Sequence, residues 1–80
     1  MSILAVQREP LATDAEVCDH SLRLTLVDGR QVSAPLAWFP RLAAATEADR
    51  RNWRLIGGGI GVHWPAIDED ISVESLLIPR

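Results

Sequence analysis

Eighty residues with a formal net charge of −3, 48% hydrophobic and 24% charged, read as one small globular domain. A chain this short buries only about 60% of its unfolded surface, which argues against a large enclosed active site and against most enzymes. Its apolar runs fall well short of the ~20 residues of a membrane span, residues 1–10 lack the basic start and sustained apolar run of a secretory signal, and the single cysteine, Cys18, excludes an internal disulfide or a Cys-rich zinc site.

Residues 1–14 are expected to be loosely held. Ala15 to Cys18 reads as a short strand ended by the turn-prone Asp19-His20. Leu22, Leu24 and Leu26 alternate with Arg23 and Thr25, the period of a half-buried strand. Asp28-Gly29 marks a turn, and Val32 and Ala34 continue the alternation as far as Pro35. Parity selects the loop. A two-residue Asp28-Gly29 loop would set Leu24 against Ser33, whereas a three-residue Val27-Asp28-Gly29 loop sets Leu24 against Val32 and Leu22 against Ala34. The longer loop, with a bulge, keeps one face apolar and puts Gly29 at its left-handed position.

Pro40 is tolerated only in a first helical turn, so a helix should start near Trp38 and continue through Leu42 and Ala43-Ala44-Ala45. Thr46, with Asp49 three residues on, is a fresh N-cap for a second short helix through about Arg51. Trp53 and Leu55, then Ile60, Val62 and Trp64, flank Gly57-Gly58-Gly59 as a second hairpin. A Gly58-Gly59 turn pairs Leu55 with Val62 and Trp53 with Trp64 on the buried face, and leaves Arg54 and His63 together on the other. Pro65 ends that strand. Ser72 caps a last turn, Val73 to Leu77, with Ile71 and Leu76 at the spacing of a hydrophobic staple and Glu74 suited to the helix dipole. With no β-α-β alternation, the expected fold is α+β: a small curled antiparallel sheet of about five strands, with two or three short helical pieces on one side.

All eight basic residues are arginine. Arg41, Arg50, Arg51 and Arg54 make the middle locally basic, and Asp68, Glu69, Asp70 and Glu74 make the tail locally acidic; solvated or intramolecular charge is the plain reading of both. The acidic balance argues against direct nucleic-acid binding. Gly57 to Gly61 lacks the Lys-Ser/Thr of a phosphate loop and is followed by a strand, so it reads as a hairpin turn; Gly61 would allow a bulge or the close approach of a partner's backbone. Asp68-Glu69-Asp70 lacks the converging oxygens of a cation site and reads as a solvated acidic loop, with recognition of a partner's arginines as its functional alternative. His20 and His63 have no ligand-spaced companion, and His63 is placed near Asp68. Three tryptophans exceed what a small core requires; core anchoring is the plain reading of all of them, and a partly exposed Trp38 or Trp64 serving as an interface anchor is the alternative.

Pro35-Leu36-Ala37-Trp38-Phe39-Pro40-Arg41-Leu42, Ala45-Thr46, the run from Asn52 to Pro65 with its His63-Trp64-Pro65, and Ile67-Asp68-Glu69-Asp70-Ile71-Ser72-Val73, with Asp28-Gly29-Arg30, closely resemble a bacterial domain-of-unknown-function family, DUF2442. The resemblance covers about residues 15–78. Ala37 stands where a serine would cap the helix, and Ala66 where an acid usually follows Trp-Pro, which weakens a metal-binding reading of that loop. The resemblance implies a small α+β domain without assigned catalysis. Members look like halves of two-gene modules, which implies antitoxin-like binding, and small acidic proteins of this size also resemble phage anti-CRISPR inhibitors.

The expectation is a non-enzymatic protein-binding module that inhibits a larger partner, a nuclease, CRISPR effector or toxin, by steric and electrostatic occlusion. Asp68, Glu69, Asp70, Glu74, Trp38, Trp64 and Arg41 are the candidate contacts. No cofactor, metal, membrane or direct nucleic acid is expected, the location is cytoplasmic, and the state is a monomer or weak homodimer. The alternative is a small-ligand binder or enzyme using His63 and Asp68, in a pocket that also reaches Cys18. A third class is a homo-oligomer formed through exposed tryptophans.

Overall fold

Leucine alternation builds the first sheet. In the computed structural model, which describes residues 10–78, β1 (Ala12–Val17), β2 (Ser21–Leu26) and β3 (Gln31–Pro35) form an antiparallel sheet in that order. β2 pairs with β3 in the register that parity selects, Leu24 against Val32 and Leu22 against Ala34. The loop is Val27-Asp28-Gly29, closed by Gly29 N–H donating to Leu26 O, with Gly29 at φ +94. Asp28 fastens it by accepting from the Arg30 backbone N–H at 3.0 Å and from Arg30 Nε at 2.7 Å. The strand expected from Ala15 begins at Ala12, so residues 12–14 are held in the sheet; residues 1–9 lie outside the described residues. A register shift between Ala12 and Asp14 lets both Ala12 and Ala15 face inward, three positions apart.

A 3-10 turn (Leu36–Trp38) follows, then α1 (Pro40–Ala43) with Pro40 at its first position, and α2 (Glu47–Arg51). The helix expected from near Trp38 therefore starts two residues later. Arg50 of α2 donates to Leu42 O, which also accepts from Ala45 N–H, and to Ala43 O at the end of the short α1. Thr46 caps α2 as its spacing predicts, accepting from Asp49 N–H at 3.1 Å.

The second sheet is β4 (Arg54–Ile56), β5 (Gly61–Trp64) and β6 (Glu69–Ser72), again antiparallel. Leu55 pairs with Val62 and Arg54 with His63, as expected. Trp53 stands just ahead of β4, half-buried against the core that Trp64 fills. The tight turn is centred on Gly57-Gly58, not Gly58-Gly59, with Gly59 N–H donating to Ile56 O. The next two carbonyls leave the hairpin: Gly59 O accepts from Ala12 N–H and Ile60 O from Val73 N–H.

The expected single sheet of about five strands is therefore two sheets of three. β3 and β4 are separated by α1 and α2 and do not pair, and the acidic segment expected as a loop supplies the sixth strand. Asp68, left-handed at φ 52, turns the chain out of the 3-10 turn Pro65–Ile67 so that Glu69 can pair with Trp64; aspartate tolerates that conformation better than most residues. Ser72 then caps α3 (Val73–Leu77) by accepting from Ser75 N–H. Both sheets supply one core with Leu36, Phe39, Leu42 and Val73. Trp64 is fully buried in it and donates its indole N–H to Arg50 O at 3.0 Å.

Gly59 sits where the two sheets cross, at φ +112, and a Cβ there would meet Ala12 O at 2.5 Å. Urea unfolding should show Gly59→Ala destabilised by about 3–4 kcal/mol. Gly58→Ala should lose only about 1–2 kcal/mol, the left-handed penalty, since its methyl meets nothing within 4 Å. At the first hairpin, the hydrogen bond from the Arg30 backbone N–H holds the Asp28 carboxyl below its usual 3.8. The stability it contributes is present above that value and is lost as pH falls through the lowered one. Asp28→Asn should remove that acid-side slope from a thermal-unfolding series in pH.

Candidate functional site

The chain between Pro35 and Pro40 forms a short platform. Leu36 and Phe39 are buried, and between them Trp38 stands 41% exposed on the 3-10 turn. Phe39 N–H donates to Leu36 O, closing the turn, and the flanking prolines fix φ on either side. Trp38 is thus an aromatic surface group on restrained backbone.

Arg41, three residues on, ties this platform to the acidic segment. Its Nη1 donates to Asp68 O at 3.0 Å and Ile67 O at 3.3 Å, and its Nε lies 3.3 Å from Glu69 Oε1. Glu69 is a rim residue whose side chain is only 15% exposed, while Arg41 is 63% exposed. One arginine of the basic middle and one acid of the tail therefore neutralise each other inside the chain. Arg41, three residues after Trp38, thus joins α1 to the segment at Asp68 and Glu69.

The remaining candidates are dispersed. Asp70 lies on the outer face of the second sheet, where its carboxylate meets His63 Nδ1 across the β5–β6 ladder. The expected partner of His63 was Asp68, which precedes the strand; the actual pair becomes legible only once Glu69–Ser72 is known to be a strand. Arg54 is the cross-strand neighbour on the other side of His63. Glu74, on α3, lines a shallow cavity of about 200 Å³ with Pro10, Ile60 and Ser72. Trp64 is a core residue with no exposed surface, which corrects its nomination as a partner contact. The close backbone approach at Gly61 is made within the chain, by Ile71 O of β6.

His63 meets Asp70, not Asp68, and among the described residues His63, Asp68 and Cys18 form no close group. Cys18 follows β1 and donates its N–H to Ser21 O in the first sheet, and the cavity lies along other residues. Among the described residues, no three His, Cys, Asp or Glu side chains are grouped as a metal site requires, and no helix is long and apolar enough to cross a membrane.

The sequence matches the family described as "Protein of unknown function (DUF2442)" over residues 13–80. The fold is similar to the crystal structure of a protein of unknown function from Rhodospirillum rubrum ATCC 11170, at 25% identity and a TM-score of 0.72, covering 88% of this chain and 87% of that one. No curated protein matches the sequence. The chain belongs to the DUF2442 family.

The exposed side of the Arg41–Glu69 contact limits its energy. A double-mutant cycle on Arg41→Ala and Glu69→Ala, followed by urea unfolding, should give a coupling of no more than about 1 kcal/mol.

Proposed function

We propose that this chain is a non-enzymatic protein-binding module that acts by occupying the surface of a larger partner. The observation that carries the reading is Trp38, exposed on a turn restrained by Pro35 and Pro40, and followed three residues on by Arg41, which is bound to Asp68 O and Glu69. An exposed aromatic anchor on restrained backbone is a common component of an interface hot spot. The partner class is a nuclease, a CRISPR effector or a toxin, and the mode is obstruction.

The electrostatic part of the reading narrows to fewer residues. Glu69 is matched by Arg41 and Asp70 is held against the His63 imidazole, so the acidic run offers a partner's arginines fewer free carboxylates than its sequence suggests. Asp68 and Glu74 are exposed and make no ion pair among the described residues. Steric anchoring through Trp38 therefore outweighs charge in this reading, with Asp68 adding a local negative group.

The alternative, ligand binding or chemistry at His63, takes its support from the His63–Asp70 contact, which fixes the imidazole. It lacks an adjacent nucleophile or an enclosing cavity.

Tagged protein should capture a partner from the native host, and titration of that partner should separate the two surfaces. Trp38→Ala should weaken binding by at least about tenfold, the loss of a modest hot spot. Asp68→Asn, which keeps a side chain tolerant of the left-handed backbone, should weaken it only a few-fold and reduce its salt dependence. Equal affinity of wild type and Trp38→Ala would remove this surface from the account. Turnover of a substrate by the purified protein alone would remove the whole class.

A further inference from the structure

The main-chain phase of the first sheet leaves the outer edge of β3 without a strand partner among the described residues. Leu26 N–H donates to Arg30 O and Leu36 N–H to His20 O, so the hydrogen-bonded positions of the β2–β3 ladder are the even ones, including Val32 and Ala34. Gln31, Ser33 and Pro35 therefore aim their main-chain groups away from β2. Cys18 N–H donating to Ser21 O on the opposite side of β2 agrees with this phase. Among the described residues, the N–H groups of Gln31 and Ser33 meet no acceptor, and both residues are exposed although α3 lies beside β3.

Exposed strand edges are normally blunted by charge or proline. β6 carries Glu69 and Asp70 within four residues, β4 is three residues long and starts with Arg54, and β1 carries Asp14 and Glu16 and is tied to the glycine turn at Ala12. β3, Gln31-Val32-Ser33-Ala34-Pro35, has no ionisable side chain. Pro35 sits at a position whose missing N–H would point outward, so it costs the strand nothing within its own sheet.

We propose that β3 is a self-association edge, pairing antiparallel with β3 of a second copy about a twofold axis at Ser33 to make a continuous six-stranded sheet. Ser33 exchanges two hydrogen bonds with its twin, and each Gln31 N–H donates to the partner copy's Pro35 carbonyl. The half-buried Val32 faces Ala34 of the other copy on the core side, at a position where side chains approach most closely. Arg30 falls opposite Leu36, so no like charges meet. The same operation on β6 would set acid against acid. Strands this short bury far less than the ~1,600 Å² of a standard stable interface, so the dimer is weak, in the micromolar range or above. The inference is independent of what the Trp38 surface binds.

Sedimentation of the full chain over a dilution series should show a monomer–dimer equilibrium, and amide exchange of Gln31 and Ser33 should slow as concentration rises, while Val32 and Ala34, already bonded to β2, stay unchanged. Ser33→Lys should weaken association by at least tenfold. Mixing Ser33→Lys with Ser33→Glu should restore it, a rescue that misfolding would not produce. A monomer at every concentration overturns the proposal and leaves the edge to a strand of a different protein. A dimer that survives Ser33→Lys overturns it too; loss of that dimer in Trp38→Ala would put the contact at the tryptophan.

Discussion

The architecture depends on one backbone crossing. Where β1 enters the first sheet, Ala12 N–H donates to Gly59 O at 2.7 Å, and there is no room at Gly59 for a side chain. Two sheets of three strands, each too small to be stable alone, are brought close enough there to share one core. Consequences spread from that point. Because Gly59 and Ile60 give their carbonyls to β1 and α3, the second hairpin closes on its first two glycines and its ladder stops at Ile56 and Gly61. Trp64 then fills the space under β5 and reaches Arg50 O, while the side chain of Arg50 closes α1. The Trp38 turn precedes α1, so its position is set by the same chain of contacts.

Charge in this protein is mostly used on the fold's own edges. Glu69 and Asp70 sit on an edge strand, where inward-facing and rim charges discourage pairing with other chains, and each has a cationic or imidazole neighbour inside the molecule. Glu16 meets Arg23 across the β1–β2 ladder, and Glu47 meets Arg51 one helical turn on. Such exposed pairs contribute little stability individually. Their larger effect is on specificity, because they distinguish the edges a second chain can use from those it cannot. β3, without an ionisable group, differs from the others in this respect.

Parity made the first hairpin legible to the residue, because one face had to be apolar and a one-residue slip would have set Leu24 against Ser33. Caps at Thr46 and Ser72 were equally readable, since a short polar side chain before a helical turn has a local mechanism. β6 was not. Three consecutive acidic residues argue against a strand on propensity, and only Ile71 carries an apolar inward signal. What decides the segment is tertiary: β5 needs a partner on its second edge, and Asp68 adopts a left-handed conformation that no sequence pattern announced. Missing β6 led to a single sheet in place of two, to Asp68 in place of Asp70 beside His63, and to an acidic loop in place of a protected edge. Trp38 and Trp64 were indistinguishable by type; the ladder that buries Trp64 and the proline-bounded turn that exposes Trp38 separate them.

The proposed binding reading takes its support from where the described side chains stand. A catalytic constellation needs groups converging on one enclosed point; among the described residues, His63 meets Asp70 across the β5–β6 ladder and Glu69 meets Arg41. His63 is oriented by Asp70 on the β5–β6 face; Cys18 follows β1 of the other sheet; among the described residues the cavity at Ile60 is lined by Pro10, Ser72 and Glu74. What the fold does converge is restraint on Trp38: buried Leu36 and Phe39 on either side, prolines beyond them, and Arg41 bound to the opposite segment. An exposed indole held on such backbone loses little conformational freedom when covered, so more of its burial remains as affinity.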